Sequence, residues 1–226
     1  KHASNVWRCA LNIEDVFREA GFPDGCFQTL LIGSDGVENV LRDRRLRAAT
    51  LTGSGPAGAS VASISGDEIK PTVLELGGTD AFIVMPSADI ESAVETAIDA
   101  RVQNNGQSCI AAKRFFAHED IYDEFRDRFV EGMKALKIGD PLADDTNIGP
   151  LAMKALRDDF AEQVEKSLAA GARPLLEARS LPDKGWWYGP QILEEAPDSA
   201  PAAHEEMFGP VASLWKVSSL SQAIER

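Results

Sequence analysis

The chain of 226 residues is 44% hydrophobic and 26% charged, which supports one large or two modest cores and excludes a disordered or low-complexity chain. Its formal net charge of -13 disfavours nucleic acid and anionic membranes as partners, because both attract basic surfaces. Its three cysteines, Cys9, Cys26 and Cys109, are widely spaced, so they predict a reducing cytoplasm and neither a disulfide framework nor a CxxC metal site.

Strand-like and helix-like segments alternate through the first third of the chain. Helices are predicted over 12–20, 37–42 and 59–65, and strands over 26–33, 47–53 and 71–76. Gly21 ends the first helix, since glycine adopts the left-handed cap conformation without strain. The apolar strands and the helical length of their connections predict a parallel sheet that is covered on both faces.

The rest of the chain continues the alternation without repeating the sequence. Strands are predicted over 81–85, 109–117, 173–178, 186–193 and 211–217, and helices over 90–102, 121–136, 152–170 and from Ser219 onward. Apolar residues at intervals of three and four indicate the helices, and Ser219 with Gln222 has the spacing of a capping box. The fold class is therefore α/β.

The stretch RVQNNGQSCIAAKRF, residues 101–115, contains the best candidate for a reactive side chain. Cys109 follows a polar turn that contains Gly106, and the small Ser108 leaves its thiol uncrowded. Backbone N–H groups of this turn could stabilise a developing negative charge. On these residues alone, a small buried core cysteine is the commoner interpretation, because free thiols are among the most buried side chains.

Two earlier segments also bear on chemistry, and each has a structural alternative. Glu75 ends a predicted buried strand in ELGG, where a carboxylate is costly unless it is paired, hydrated or functional; a solvent-facing glutamate is an equal alternative. The GSGPAG segment, residues 53–58, lies between a strand and a helix, as phosphate-binding turns do. It matches neither GxGxxG nor the Walker pattern.

The segment HEEMFGPV, residues 204–211, places two acidic residues and an aromatic residue before Gly-Pro. Residue preferences alone favour a solvated turn for Glu205 and Glu206 and a core position for Phe208. His204 lies far in sequence from the other two histidines and shows no ligand spacing, so no metal site is expected.

In content, order and spacing, ELGG, NNGQSC and EEMFGPV resemble the aldehyde dehydrogenase superfamily, and the resemblance covers essentially the whole chain. KHASN and NNGQSCIAAKRF are most similar to its succinate-semialdehyde dehydrogenase branch. The resemblance implies a parallel-sheet, Rossmann-like cofactor-binding part over 1–76. It also implies an α/β catalytic domain over 77–226, with the fold incomplete at both ends.

The resemblance implies a role for each matched catalytic position. Cys109 corresponds to the nucleophile whose thiolate attacks the aldehyde carbon, and Glu75 to the general base that activates water and could also activate the thiol. The thiohemiacetal gives its hydride to the nicotinamide, and water hydrolyses the resulting thioester to a carboxylic acid. The backbone N–H of Cys109 is one expected oxyanion donor, whereas the family's second donor is an asparagine upstream of Lys1.

The same resemblance implies a nicotinamide dinucleotide as cofactor. The matched contacts are Lys1 and Ser4 at the adenosine ribose, Gly33 and Ser54 near the adenine and the pyrophosphate, and Glu206 and Phe208 at the nicotinamide ribose. Ser4 stands where NAD-preferring relatives often carry a glutamate that would repel a 2′-phosphate. Because Lys1 could pair with that phosphate, NADP is expected to be preferred over NAD.

Two departures from the family pattern concern the substrate and regulation. Gln103 stands where some succinate-semialdehyde dehydrogenases carry an arginine that binds the substrate carboxylate, so one bidentate contact is lost. Ala111 stands where some members carry a second cysteine, and no redox-switch disulfide is expected. A small aldehyde, with succinate semialdehyde as the first choice, remains the expected substrate.

The resemblance also implies that the chain is the central part of a longer protein, which is expected to be a homo-oligomer when full-length. The piece alone is expected to be inactive. The alternative is a non-catalytic fragment or relative that binds nucleotide or a partner chain without turnover. No membrane association is expected, since the sequence has no apolar run of about 18 residues and no apolar signal-peptide core near its start.

Overall fold

The computed structural model describes residues 1–176 and 179–226, which form two compact units, Lys1–Leu76 and Gly77–Arg226. Both units are mixed α/β and contain parallel strands, which confirms the predicted fold class. No helix within these ranges is both long and apolar enough to cross a membrane.

The N-terminal unit contains a two-stranded parallel sheet flanked by helices. Its elements are α1 (Trp7–Glu19), α2 (Val37–Arg42), β1 (Ala49–Gly53), α3 (Gly55–Asp67) and β2 (Thr72–Leu76). Along both strands half-buried and exposed residues alternate, so these strands are not covered on both faces as predicted. Helix α3 packs closely against β2, and Gly58 permits this approach. A Cβ at this position would come within 2.7 Å of the Leu76 side chain.

The predicted strand over 26–33 is wrong, because this segment has no regular secondary structure. Its polar groups bond to α1 instead of to a neighbouring strand. The Thr29 N–H donates to the Glu14 carboxylate at 2.9 Å, and the Thr29 hydroxyl donates to the Ala10 carbonyl at 2.9 Å. Helix α3 also begins earlier than predicted, since Pro56 is favourable in the first turn of a helix.

The C-terminal unit is built on a five-stranded sheet with the order β3-β4-β7-β6-β5. Its strands are β3 (Ala81–Val84), β4 (Arg114–His118), β5 (Arg173–Pro174), β6 (Gln191–Glu194) and β7 (Val211–Val217). Its helices are α4 (Ile90–Val102), α5 (Tyr122–Ala135), α6 (Lys154–Ala170), α7 (Pro201–His204) and α8 (Leu220–Glu225). Among the described residues of this sheet, only those of the short β5 pair antiparallel.

Buried side chains cover both faces of this larger sheet. Successive strand residues point to opposite faces, and Phe115 accordingly packs in one core with Phe129, while Phe116 packs in the other with Trp215. A mostly parallel sheet covered on both faces, which the sequence predicts for the first third of the chain, is therefore found in the C-terminal unit instead.

Several predicted elements of this unit are longer than the observed ones. The strand predicted over 109–117 begins only at Arg114, because the Ala112 N–H donates to the Ala100 carbonyl and the Lys113 N–H to the Asp80 carbonyl. The strand predicted over 186–193 begins at Gln191. The strand predicted over 173–178 is limited to Arg173–Pro174, and its residues 177 and 178 lie outside the described residues.

Candidate active site

Cys109 lies at the end of a turn with an unusual backbone, which we call the cysteine turn (residues 104–109). Three consecutive residues that follow α4 are left-handed: Asn104 has a φ of 50°, Asn105 of 58° and Gly106 of 76°. Asparagine and glycine are the residues that tolerate this region best. The NNG sequence is therefore what permits the chain to reverse direction immediately before Gln107, Ser108 and Cys109.

Side chains of the cysteine turn bind it to the segment 149–152. The Asn105 carboxamide accepts from the Gly149 N–H at 2.8 Å and donates to the Pro150 carbonyl at 3.1 Å. Gln107 Oε1 accepts from the Ala152 N–H at 3.0 Å. These contacts hold the turn against the loop that precedes α6.

The cysteine turn also lies directly against the end of the EEMFGPV segment. A Cβ on Gly106 would overlap the carbonyl group of Gly209, so only glycine permits this backbone-to-backbone approach. The buried Arg101 spans the same junction, since its guanidinium donates to the Gly106 carbonyl at 2.9 Å and to the Val211 carbonyl at 3.3 Å. Two motifs that are far apart in sequence are thereby joined.

Burial lowers the pKa of Arg101 to about 10, and the nearby Glu206 carboxylate opposes this shift. The guanidinium is still a cation at neutral pH, because that pKa lies well above 7. It therefore contributes a buried positive charge close to the cysteine turn.

Cys109 itself is half-buried, and its thiol forms no disulfide. It is therefore not the small core residue that residue preferences favour. Its carbonyl accepts a hydrogen bond from Lys113 Nζ at 2.7 Å. Within residues 1–176 and 179–226, the Cys109 N–H donates to no protein acceptor, which leaves it free to bind an anionic oxygen.

Lys113 is a fully buried cation beneath the cysteine turn. Besides the Cys109 carbonyl, its ammonium donates to the Ser108 carbonyl at 3.0 Å and forms an ion pair with Glu206 Oε1 at 3.2 Å. The ammonium donates hydrogen bonds to the two carbonyls, and its contact with Glu206 is an ion pair without hydrogen-bond geometry. The Cys109 carbonyl and the Glu206 carboxylate thus both contact the same buried ammonium.

Glu206 and Phe208 line a cavity of about 360 Å³ between the EEMF segment and α6. Glu206 is not the solvated residue that residue preferences predict, because its Oε1 is buried against Lys113. A Cβ on Gly77 would overlap the Glu206 carboxylate, so this glycine leaves the space that the carboxylate occupies. Glu205 is exposed and accepts a 2.9 Å hydrogen bond from Gln163.

A second cavity, of about 420 Å³, lies within the N-terminal unit. It is lined by Lys1, by residues of β1 and by the facing sides of α2 and α3. Ser54 occupies the N-cap position of α3, and Gly33 precedes a short 3-10 helix (Ser34–Gly36) whose first residue lines the cavity. Ser4 is exposed close to Lys1 in sequence.

Glu75 belongs to this N-terminal unit, where it is exposed on β2 opposite Thr52 of β1. It is thus on a less buried strand than the sequence predicts. Among the residues that the structure describes, no cluster of three or more His, Cys, Asp or Glu side chains is arranged to hold a metal ion.

The amino-acid sequence matches the aldehyde dehydrogenase family over residues 1–226. The chain belongs to the aldehyde dehydrogenase family. Curated relatives include the succinate-semialdehyde dehydrogenases [NADP(+)] of Mycobacterium avium, 58% identical over 225 residues, and Mycobacterium tuberculosis, 56% identical over 225 residues. Each alignment covers 100% of this chain but only 48% and 49% of the respective relative, so the chain spans about half their length.

Solved aldehyde dehydrogenase structures have the same fold over nearly the whole chain. A succinic semialdehyde dehydrogenase from Streptococcus pyogenes in complex with NADP+ is 35% identical with a TM-score of 0.93, over 96% of this chain and 48% of that one. Aldehyde dehydrogenase 21 from Physcomitrella patens in complex with succinate is 31% identical with a TM-score of 0.90, over 100% of this chain and 46% of that one.

Two buried cations of this aldehyde dehydrogenase family member, Arg101 and Lys113, are absent from the candidates predicted from sequence. Arg101 stands within an amphipathic helix pattern, and Lys113 within a run that reads as an apolar strand. A single charge inside such an apolar run is a signal of pairing, because an unpaired buried charge is costly. The partner, Glu206, cannot be identified from local sequence because it lies in another segment.

Proposed function

We propose that the full-length protein that carries this chain oxidises a small aldehyde to a carboxylic acid with NADP+ as hydride acceptor, using Cys109 as nucleophile. The observation that carries the proposal is the contact between the cysteine turn and the segment after Phe208, which requires Gly106 at its closest point. The turn that ends in the half-buried Cys109 is therefore held against the segment that carries Glu206 and Phe208, and both of these side chains line a cavity.

In the proposed reaction, the Cys109 thiolate attacks the carbonyl carbon and forms a thiohemiacetal. The free Cys109 N–H donates to the developing oxyanion. When bound, NADP+ would supply the hydride acceptor, and loss of hydride from the substrate carbon would leave a thioester on Cys109. Glu75 then takes a proton from water, which attacks the thioester and releases the acid and the thiol.

The two units divide this work. Residues 1–76 are proposed to bind the dinucleotide, with Lys1, Ser4, Gly33 and Ser54 around the adenosine half and the pyrophosphate. The cavity is lined mostly by apolar side chains, which suits the adenine, whereas Lys1 and the open N-terminus of α3 suit the anionic phosphates, since helix N-termini favour negative charge. Residues 77–226 are proposed to be the catalytic domain, in which Glu206 and Phe208 hold the nicotinamide ribose.

Succinate semialdehyde is the proposed substrate, in line with the names of the curated relatives. Gln103 is exposed and offers no positive charge to the substrate carboxylate, so other residues must bind it. The test is NADPH formation by the full-length protein with succinate semialdehyde and with uncharged aldehydes of similar size. Nucleotide binding without turnover of any aldehyde would instead support the non-catalytic alternative. A homo-oligomer in the cytoplasm is the proposed state of the full-length enzyme.

Glu75→Gln is expected to convert the enzyme into one that turns over about once. The amide cannot take a proton from water, so the thioester should accumulate while its formation is largely retained. Rapid mixing should show a burst of about one NADPH per active site, followed by a steady state about 10²–10⁴-fold slower than that of the unsubstituted enzyme.

The matched control for this burst is Glu19→Gln, an exposed glutamate at the end of α1 in the same unit. It should leave the steady state unchanged. A Glu75→Gln variant without a burst, and with unimpaired steady-state turnover, would rule out the role of Glu75 as base.

NADP+ is expected to be the better cofactor, and Ser4→Glu is expected to reverse the preference. A glutamate at this position would repel the 2′-phosphate while accepting hydrogen bonds from the ribose hydroxyls of NAD+. The ratio of kcat/KM for NADP+ to that for NAD+ should fall at least about tenfold, since like-charge contacts at a binding site cost this much or more. A clear excess of kcat/KM for NAD+ in the unsubstituted enzyme would contradict the proposal.

A further inference from the structure

The buried ammonium of Lys113 contacts both motifs of the candidate site within the C-terminal unit. It binds the carbonyls of Ser108 and Cys109 on one side and the carboxylate of Glu206 on the other. Its own backbone is fixed as well, because its N–H donates to the Asp80 carbonyl and its carbonyl accepts from the Ser213 N–H, both at 3.0 Å. Lys113 is therefore held in place by its own backbone, and its ammonium contacts both the cysteine turn and Glu206.

The cysteine turn has several other supports that do not involve Lys113. Arg101 binds its Gly106 carbonyl, the Asn105 carboxamide binds the segment 149–152 twice, and Gln107 binds that segment once more. Loss of the Lys113 ammonium should therefore disturb the turn only slightly.

The Glu206 carboxylate, in contrast, depends strongly on Lys113. Within the described ranges its Oε1 is buried and accepts no hydrogen bond, so the Lys113 charge compensates for its burial. The guanidinium of Arg101 adds a favourable longer-range charge, but its donors bind backbone carbonyls instead. Without Lys113 the carboxylate would lose its direct partner and move toward water.

We propose that Lys113 is a positioning residue that holds the Glu206 carboxylate in register with the backbone of Cys109. The inference rests on the proposed function, because it gives Glu206 the task of binding the nicotinamide ribose. Hydride transfer requires the thiohemiacetal carbon and the acceptor ring to be aligned, and Lys113 links the residues that bind each of them. Attack of the Cys109 thiolate on an ester, which expels the alcohol and leaves an acyl group on the thiol, needs no hydride acceptor and does not depend on this link.

The test compares the full-length enzyme with Lys113→Met, which removes the ammonium but keeps most of the side-chain length. Oxidation of aldehyde with NADP+ should fall about 10- to 100-fold, the loss expected for misalignment of reacting groups. Hydrolysis of p-nitrophenyl acetate, which acylates the thiol directly, should change less than about threefold, since the turn keeps its other supports. Binding of NADP+ should weaken, while binding of 2′,5′-ADP, which lacks the nicotinamide ribose, should not.

The matched control is Lys134→Met, an exposed lysine of α5 that pairs with Glu131 at 3.5 Å. It should leave all four measurements unchanged. A parallel loss of oxidation and ester hydrolysis in Lys113→Met would overturn the proposal, because Lys113 would then support the cysteine turn itself. Unchanged oxidation and unchanged NADP+ binding would overturn it too.

Lys113→Met leaves the buried Glu206 Oε1 without its charged partner, and a variant that fails to fold would not test the proposal. In that case Lys113→Met/Glu206→Gln, which removes both charges, is compared with Glu206→Gln alone. Equal oxidation and NADP+ binding in these two variants supports the proposal, whereas a further loss in the double variant overturns it. Absence of aldehyde oxidation by the unsubstituted enzyme would instead refute the proposed function, and the two binding measurements would still test the link between Lys113 and Glu206.

Discussion

Cys109→Ser is expected to lower kcat for aldehyde oxidation by about 10⁴-fold or more, the scale on which loss of a covalent nucleophile reduces turnover. Serine keeps the size of the side chain, but its hydroxyl is a much weaker nucleophile at neutral pH, and its ester is harder to hydrolyse than a thioester. The measurement is NADPH formation at saturating aldehyde and cofactor.

The control for this substitution is Cys26→Ser, because Cys26 is an exposed thiol in the N-terminal unit. It should leave kcat unchanged. Binding of NADP+ by Cys109→Ser should also stay near that of the unsubstituted enzyme, so a loss of binding would indicate a structural defect. Retention of more than about a tenth of the turnover by Cys109→Ser would contradict a covalent mechanism through this residue.

Gly106→Ala is expected to destabilise the protein by about 2–5 kcal/mol, the sum of about 1–2 kcal/mol for a left-handed alanine and about 1–3 kcal/mol for overpacking. The strain arises at a φ of 76°, and the overpacking arises because the added methyl group would overlap the Gly209 carbonyl. Urea unfolding of the full-length protein measures the change. Oxidation should fall strongly as well, because the cysteine turn must move away from the segment after Phe208.

Gly21→Ala separates these two contributions. Gly21 has a φ of 81°, close to that of Gly106, but a Cβ there meets nothing within 4 Å. It should lose only the contribution from backbone strain, about 1–2 kcal/mol, and keep its activity. Equal destabilisation by the two substitutions would show that the contact between Gly106 and Gly209 is unimportant.

Elements with local signals were predictable from sequence. Helix α2 and strand β7 have the predicted bounds, and Ser219 caps α8 by accepting from the Gln222 N–H. The strand predicted over 26–33 failed because a strand depends on a partner, which no local pattern reveals. Thr29 bonds instead to helix α1, and Leu30 and Leu31 are exposed.

Site residues that belong to a sequence motif were predictable, whereas those that are identified only by a contact in the fold were not. NNGQSC and EEMFGPV were recognisable through their resemblance to a family, and family membership is now established. The roles of Cys109 and Glu75 stay predictions. Lys113 and Glu206 are far apart in sequence and form an ion pair only in the fold. Both charged residues were visible in the sequence, but their pairing was not.

The sheet order has a consequence for how the C-terminal unit is made. Strand β4 pairs with β7, roughly a hundred residues later, and contacts at such separation form slowly. During synthesis, β4 has only β3 beside it until β7 emerges, and Phe116 has no Trp215 to cover it. The cysteine turn likewise cannot form its contact with Gly209 until that residue is synthesised, and Arg101 cannot bind the Val211 carbonyl before then. This unit should therefore acquire its candidate site among its last folding events, and nascent chains that end before β7 should be the ones most prone to aggregate.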